Sequence, residues 1–261
     1  MTPPAFEHHR DAIVTQTELL TAQVRGADLS APVPTCPGWT LGQLLRHVGG
    51  DHRWAEEIVR TRAAGPVGND LVDDPRADPL ADTSTLLPWL TEGAAHLSAT
   101  LRAAGPDALA WNPSADRPAP VRFWARRMAY ETAVHRADAA LTTGASFALD
   151  AGLAADAVEE WLEFSTFPEA YAPRPDLPDL LGAGRTMRFE APDAGVWHVD
   201  LSGERPALRA GSGTPAATAR GPVADLLLYF YRRPAPVVVT GGDTALLDLW
   251  RTRAGFWLEA P

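Results

Sequence analysis

The sequence contains no lysine, because all 23 of its basic residues are arginine. Schiff-base chemistry, a lysine general base and a Walker-type phosphate loop each require a lysine, so all three are excluded. The formal net charge is -10, and the basic residues form no cluster. Binding to nucleic-acid phosphates or to an anionic membrane surface needs a cluster of positive charge, so we expect neither kind of partner.

Cysteine is almost absent as well. The single residue Cys36 excludes an internal disulfide and favours a reducing compartment. No stretch approaches the roughly 20 apolar residues that a membrane helix needs. The N-terminus has no basic start followed by an apolar run, as a secretory signal would. We therefore predict a cytoplasmic protein, and the sequence does not indicate its oligomeric state.

The first 145 residues predict helices joined by loops rich in proline and glycine. Thr40 and Gln43 form a capping box, which marks the start of the second helix. A turn-rich loop is predicted at 65–79. Four helices of about 20 residues each suit a four-helix bundle. The predicted helices are at about 6–28, 40–62, 84–104 and 121–141.

Beyond about residue 150 the apolar periodicity changes from that of helices to that of strands. One more helix precedes a proline-rich crossing, and short alternating runs separated by glycine and proline then predict strands. We therefore predict an α+β protein, with residues 1–147 helical throughout and residues 148–261 forming a small α+β domain. Its predicted helices are at 151–164, 222–233 and 243–253, and its predicted strands are at 186–191, 195–202, 206–211, 217–221 and, as a buried strand, 236–242.

The clearest pattern with chemical meaning lies in the fourth predicted helix. Glu131 and His135 are four residues apart, so on a helix they lie on one face, one turn from each other. A carboxylate and an imidazole at this spacing can bind one metal ion, although the same spacing also fits an exposed polar pair. Asp138, three residues further on, is either an acceptor for the second ring N–H of His135 or a solvated surface acid.

A third metal ligand has to come from another segment, and the second helix offers His47 and His52. At about 100° per residue, His52 falls near the middle of the apolar stripe of this helix and His47 falls on its edge. The two are about 140° apart, so they cannot easily bind the same ion. Helical geometry alone slightly favours His52 as the inward-facing residue, and a buried histidine is also commonly a core residue.

Other reactive residue types have simpler interpretations. Cys36 lies in a loop with no cation next to it in sequence, so we interpret it as a packing residue and not as a nucleophile. Arg232 and Arg233 end a predicted helix, where the helix dipole favours positive charge. They are also candidates for binding a substrate carboxylate across the domain interface. His8 and His9, in the first helix, are expected to face solvent, with a supplementary metal ligand as the alternative interpretation.

Two segments carry a family resemblance, namely 33–59, which contains Pro-Gly-Trp and the second helix, and YETAVHRADAA at 130–140. Together they resemble the N-terminal domain of the mycothiol-dependent maleylpyruvate isomerase family, a DinB-like four-helix bundle. The resemblance implies that His47, Glu131 and His135 bind the metal, and it is the resemblance that selects His47. Residues 217–249 are similar to the sterol-carrier-like second domain of the family, so the resemblance covers nearly the whole chain.

The resemblance also implies a divalent metal and mycothiol as a cosubstrate. Two imidazoles and one carboxylate leave coordination positions open, and zinc is the leading candidate, with Fe²⁺ as the alternative. The implied function is a metal-dependent enzyme that uses the thiol on a small electrophile, as a maleylpyruvate cis–trans isomerase or as a thiol S-transferase. The rival interpretations are a non-catalytic small-ligand-binding protein with a structural metal and a metal-assisted hydrolase.

Overall fold

The computed structural model describes residues 5–68, 82–209 and 213–258. The chain divides into two compact units, one of them Pro4–Phe147 and the other containing Ala148–Pro261. Most of the predicted loop at 65–79 lies outside the described residues. None of the helices in the described part of the chain has the length and apolar character needed to span a membrane.

Four long helices build the N-terminal unit, and the predicted four-helix bundle is confirmed. Helices α1 and α2 each pack against both α3 and α4. The apolar core therefore lies between the four helices, and each helix turns its apolar face toward it. The four are α1 (Phe6–Gln23), α2 (Leu41–Thr61), α3 (Thr83–Ala104) and α4 (Arg122–Thr143).

Helix α2 begins with the capping box that the sequence predicts. The Thr40 side chain accepts a hydrogen bond from the Gln43 backbone N–H, and the Gln43 side chain accepts one from the Thr40 N–H. The apolar stripe of α2, which includes Leu44 and Val48, is fully buried in the core. Burial of this stripe fixes the rotation of the helix about its axis, and it places His47 half-buried at the edge of the core.

The N-terminal unit departs from the predictions at two places in its backbone. Helix α1 ends at Gln23, before the predicted end at Asp28, because the chain turns at Gly26 with a φ of 73°, which glycine adopts without a Cβ penalty. The expectation of an entirely helical unit is also wrong. Leu109–Ala110 (β1) and Ala119–Pro120 (β2) form a short antiparallel ladder in the loop before α4.

His9 also lies where the sequence did not place it. The prediction that it faces solvent is wrong, since the residue is buried and its Nε2 lies 2.9 Å from the Tyr130 hydroxyl. The two rings meet edge to face across α1 and α4. A hydrogen bond from one helix to the next allows an imidazole to be buried without leaving its polar atoms unpaired. His8, the adjacent residue, is exposed as predicted.

The second unit is the predicted small α+β domain. Its five-stranded sheet has the order β5-β4-β3-β6-β7, in which β3 and β6 are parallel and the other neighbours are antiparallel. Phe189 of the sheet packs against Phe230 and Trp250 of two helices, with ring centroids 4.7 and 4.9 Å away. The helices are α5 (Ala151–Phe164), α6 (Pro168–Tyr171), α7 (Val223–Phe230) and α8 (Thr244–Ala254). The strands are β3 (Thr186–Ala191), β4 (Gly195–Asp200), β5 (Ala207–Leu208), β6 (Ala217–Arg220) and β7 (Val239–Gly242).

The run at 236–242 was predicted as a buried strand, and this prediction is wrong. Among the residues that the structure describes, strand β7 is an edge strand that pairs with β6 alone, and Val239 is 69% exposed. An apolar run shows that a segment can enter a sheet, but it does not show how many neighbours the strand will have. The sequence therefore indicated the strand and not its place in the sheet.

Candidate metal centre

Helices α2 and α4 bring together the three residues that were predicted to bind a metal. One ligand atom from each of His47, Glu131 and His135 lies within 4.8 Å of the other two. His135 Nε2 is 2.8 Å from Glu131 Oε1, and His47 Nε2 is 3.7 Å from the same oxygen. In a tetrahedral zinc site, bonds of about 2.0–2.1 Å place donor atoms roughly 3.3 Å apart. Small shifts would therefore bring these three donors onto one divalent ion.

His52, the other histidine of α2, lies in a different environment. It is 1% exposed, and its Nε2 lies 2.8 Å from Thr132 Oγ1. Burial, together with the nearby charge of Arg53, lowers the pKa of His52 to about 3, so the ring is a neutral core imidazole. The structure thus brings His47 to Glu131 and His135, and it does not bring His52 there.

Asp138 lies behind the His135 ring, on the side away from Glu131. Its Oδ2 is 2.9 Å from His135 Nδ1, and its Oδ1 accepts a hydrogen bond of 2.6 Å from Thr35 Oγ1. Asp138 has no solvent exposure, so it is not a solvated surface acid. A carboxylate at one ring nitrogen fixes the orientation of an imidazole and leaves the other nitrogen for a metal.

Arg127 orients Glu131 in a comparable way. It precedes Glu131 by one turn of α4, and its Nη2 donates a hydrogen bond to Oε2, so that Oε1 is the oxygen that faces the two histidines. Burial acts to raise the pKa of Glu131, but the Arg127 charge and the hydrogen bonds from both histidines hold that pKa well below its usual range. Glu131 is therefore an ionised carboxylate, as a metal ligand has to be.

The acidic groups around the two histidines raise the pKa of both rings. Burial acts to lower the pKa of His135, but its hydrogen bonds with Asp138, Cys36 and Glu131 raise that pKa well above its usual value. The pKa of His47 is also raised, because the Asp51 charge and the Glu131 hydrogen bond outweigh burial. Since a metal binds neutral imidazole, binding of an ion here would displace protons.

The sequence predictions do not include Asp51, which also lies at this centre. Its Oδ2 is 3.3 Å from His47 Nε2, and burial raises the pKa of Asp51 to about 6. The signal that could have identified it is the spacing of four residues from His47 to Asp51. The same spacing on α4 singled out Glu131 and His135.

The environment of Cys36 was predicted only in part. The residue is partly buried and packs against the helical core, as a packing residue would. The sequence places no cation next to it, but the fold brings the imidazole of His135 close to it. Its Sγ is 3.6 Å from Asp138 Oδ2, and it also lies within 4.8 Å of a ring nitrogen of His135. No local pattern could show this, because Cys36 and Asp138 are 102 residues apart in sequence.

Arg232 and Arg233 belong to the second unit, just after α7. Arg232 has a left-handed backbone, with φ of 60°, and its Nη2 donates hydrogen bonds to the backbone carbonyls of Arg251 and Thr252. Arg233 Nη1 donates a hydrogen bond of 2.8 Å to the Tyr231 carbonyl. Both guanidinium groups thus have structural contacts inside their own unit, and binding of a substrate carboxylate stays a prediction for them.

Comparisons with solved structures agree with this geometry at the level of the fold. A protein described as "Crystal structure of the mycothiol-dependent maleylpyruvate isomerase" aligns with a TM-score of 0.62 and 16% identity, over 92% of this chain and 96% of that chain. A histidine-to-alanine mutant described under the same enzyme name aligns with a TM-score of 0.61, the same identity and the same coverage. At this level of identity, the likeness shows a shared fold. Comparison with curated proteins finds no match.

The family comparison covers both units. Residues 10–140 match the family described as "Mycothiol maleylpyruvate isomerase N-terminal domain", and residues 152–249 match the one described as "MDMPI C-terminal domain". The first match spans most of the four-helix bundle and all three converging donors, and the second spans most of the α+β unit. The chain therefore belongs to the mycothiol-dependent maleylpyruvate isomerase family of enzymes.

Proposed function

We propose that this protein is a metal-dependent enzyme that uses a low-molecular-weight thiol, mycothiol, on a small electrophilic substrate. The observation that carries the proposal is the convergence of His47, Glu131 and His135 in a chain of this family. The name of the solved relative supplies the thiol and the substrate class, because it describes a mycothiol-dependent isomerase of maleylpyruvate.

The donor set supports a divalent ion, and we propose zinc. Two imidazole nitrogens and one carboxylate oxygen suit zinc with an open position, and they also accommodate Fe²⁺. When bound, the ion would favour the thiolate form of a coordinated thiol and would polarise a carbonyl group. Arg127 and Asp138 hold Glu131 and His135 in place, so the donors need little rearrangement when ligands exchange.

The thiol would provide the nucleophile, since Cys36 is partly buried against the core and its thiol donates a hydrogen bond to Asp138. A free thiol with a pKa near about 8.5 is mostly protonated at neutral pH, so it has to be ionised in the site. In an isomerisation, the thiolate adds to an activated C=C bond, the new single bond rotates, and expulsion of the same thiolate gives the isomer. In an S-transfer, the sulfur stays on the electrophile. Arg232 or Arg233 would bind a carboxylate of either substrate.

Binding of the thiol to Co²⁺-loaded protein tests the proposal. We expect mycothiol to produce a sulfur-to-cobalt charge-transfer band and a measurable heat of binding by titration calorimetry. His135→Ala should lose both signals, while His96→Ala, at an exposed histidine of α3, should keep them. If the wild-type protein shows neither signal, the thiol mechanism fails, and metal-assisted hydrolysis or ligand sequestration replaces it.

The electrophile can then be identified with the same protein. Candidate electrophiles, maleylpyruvate first, would be incubated with mycothiol and the metal-loaded enzyme, and the products followed by mass spectrometry and chromatography. An isomer of unchanged mass indicates isomerisation, and a mycothiol adduct indicates S-transfer. Both outcomes should disappear in His135→Ala.

A further inference from the structure

Asp51 lies on the side of His47 that faces the proposed metal ion. It is 7% exposed, and its Oδ2 is 3.3 Å from His47 Nε2. The same nitrogen faces Glu131 Oε1 at 3.7 Å. Asp138 differs in this respect, because it contacts His135 at Nδ1, the nitrogen that points away from Glu131. Asp138 therefore contacts His135 on the side away from the proposed ion, and Asp51 contacts His47 on the side that faces it.

The separation of Asp51 from His47 suits two ligands of one ion. Neighbouring donor atoms of a tetrahedral zinc site with bonds of about 2.0–2.1 Å lie roughly 3.3 Å apart. The Asp51 carboxylate is outside the three-residue set in which all donor atoms lie within 4.8 Å of one another. Its oxygen would therefore have to move closer to the donor atoms of Glu131 and His135 to share an ion with them.

The charges around Asp51 point the same way. Burial of a carboxylate costs free energy unless the charge is paired. Among the described residues, Asp51 forms its ion pair with His47. Arg127, the nearby cation of α4, donates to Glu131. When His47 Nε2 holds a metal ion it carries no hydrogen, so it cannot donate to Asp51. The ion would then replace the His47 N–H as a positive partner for the Asp51 carboxylate.

We propose that Asp51 is a fourth protein ligand of this centre. Each of the two helices would then supply one imidazole and one carboxylate a turn apart, His47 with Asp51 on α2 and His135 with Glu131 on α4. Two carboxylates would neutralise a divalent ion, and their oxygens also suit Fe²⁺ and Mn²⁺, which take more than four ligands and would keep positions for the thiol. The inference rests on the proposed metal centre.

Asp51→Asn tests this assignment, with Glu57→Gln, at an exposed acid on the same helix, as the matched control. Chelator competition gives the zinc affinity, the visible spectrum of the Co²⁺ protein reports the coordination number, and circular dichroism checks folding. We expect Asp51→Asn to bind zinc at least tenfold more weakly, with more intense cobalt bands because fewer ligands remain. Glu57→Gln should match the wild-type protein in both measurements.

A second variant tests directly whether the side chain at position 51 reaches the metal ion. In Asp51→Cys, a thiolate that reaches the ion should give a sulfur-to-cobalt charge-transfer band without any added thiol, and the wild-type protein should give none. If the wild-type protein binds no divalent ion, the proposed metal centre itself fails. If it binds one ion, while Asp51→Asn keeps the same affinity and spectrum and Asp51→Cys shows no such band, the assignment of Asp51 alone is overturned.

Discussion

Asp138 holds His135 by a contact of 2.9 Å between Oδ2 and Nδ1, at a position where the carboxylate has no solvent exposure. The contact turns Nε2 of the same ring toward Glu131 Oε1, 2.8 Å away. The orientation of a proposed metal ligand therefore depends on a residue that does not itself face the ion.

Replacing Asp138 with Asn should weaken metal binding by about 10- to 100-fold, the usual cost of losing a carboxylate behind a ligating histidine. The amide can still form a hydrogen bond with the ring, so the fold should persist. Chelator competition measures the affinity, with Asp11→Asn, at an exposed acid of α1, as the control. Equal affinities in the two variants would show that Asp138 does not position His135.

Removal of any of the three proposed donors should remove the ion. We expect His47→Ala, Glu131→Ala and His135→Ala to contain less than a tenth of the metal of the wild-type protein, because each variant keeps only two of these three converging donors. His52→Ala should keep it. Metal content of the purified proteins by plasma mass spectrometry measures this. Metal retained in His47→Ala but lost in His52→Ala would reverse the choice of histidine.

His52→Ala should instead change stability. The side chain is 1% exposed and hydrogen-bonded to Thr132, so its removal leaves a cavity in the core and removes one of the two hydrogen bonds of the Thr132 hydroxyl, which still donates to the Met128 carbonyl. We expect a loss of about 2–4 kcal/mol in the free energy of unfolding, measured by urea denaturation. The exposed His96 provides the control, since His96→Ala should change the free energy by less than about 0.5 kcal/mol. A wild-type midpoint in His52→Ala would contradict a core role.

Gly49→Ala should destabilise the bundle, although alanine is favoured over glycine by about 1 kcal/mol within a helix. A Cβ at Gly49 would lie 2.0 Å from the ring of Trp89, and Arg53 stacks on that ring. We expect a loss of about 1–2 kcal/mol in the free energy of unfolding by urea denaturation. In a Trp89→Ala background the same substitution should become neutral or stabilising, and an equal loss in both backgrounds would exclude the clash.

Much of the architecture could be predicted from the sequence because it depends on short-range features. The capping box of Thr40 and Gln43 involves residues three apart, and the stripe of α2 follows the period of a single helix. Glu131 and His135 could be paired for the same reason, since one turn of helix brings them together whatever surrounds it.

The choice between His47 and His52 illustrates what the sequence left open. Helical geometry slightly favoured His52, and the family resemblance favoured His47. The structure brings His47 to Glu131 because the burial of Leu44 and Val48 sets the rotation of α2 against α4. That rotation depends on how two helices pack, which no single helical wheel contains.

The other features that the sequence did not predict also depend on packing between distant segments. The Thr35 hydroxyl and the Cys36 thiol reach Asp138 across more than a hundred residues of sequence, so their contacts depend on a loop folding back onto α4. The neighbours of β7 were likewise set by the order of the strands and not by its own apolar run. Local periodicity determined which segments became helices and strands and which side chains meet within one helix. Long-range packing decided which side chains meet between segments, because each such contact requires two distant segments to be fixed at once.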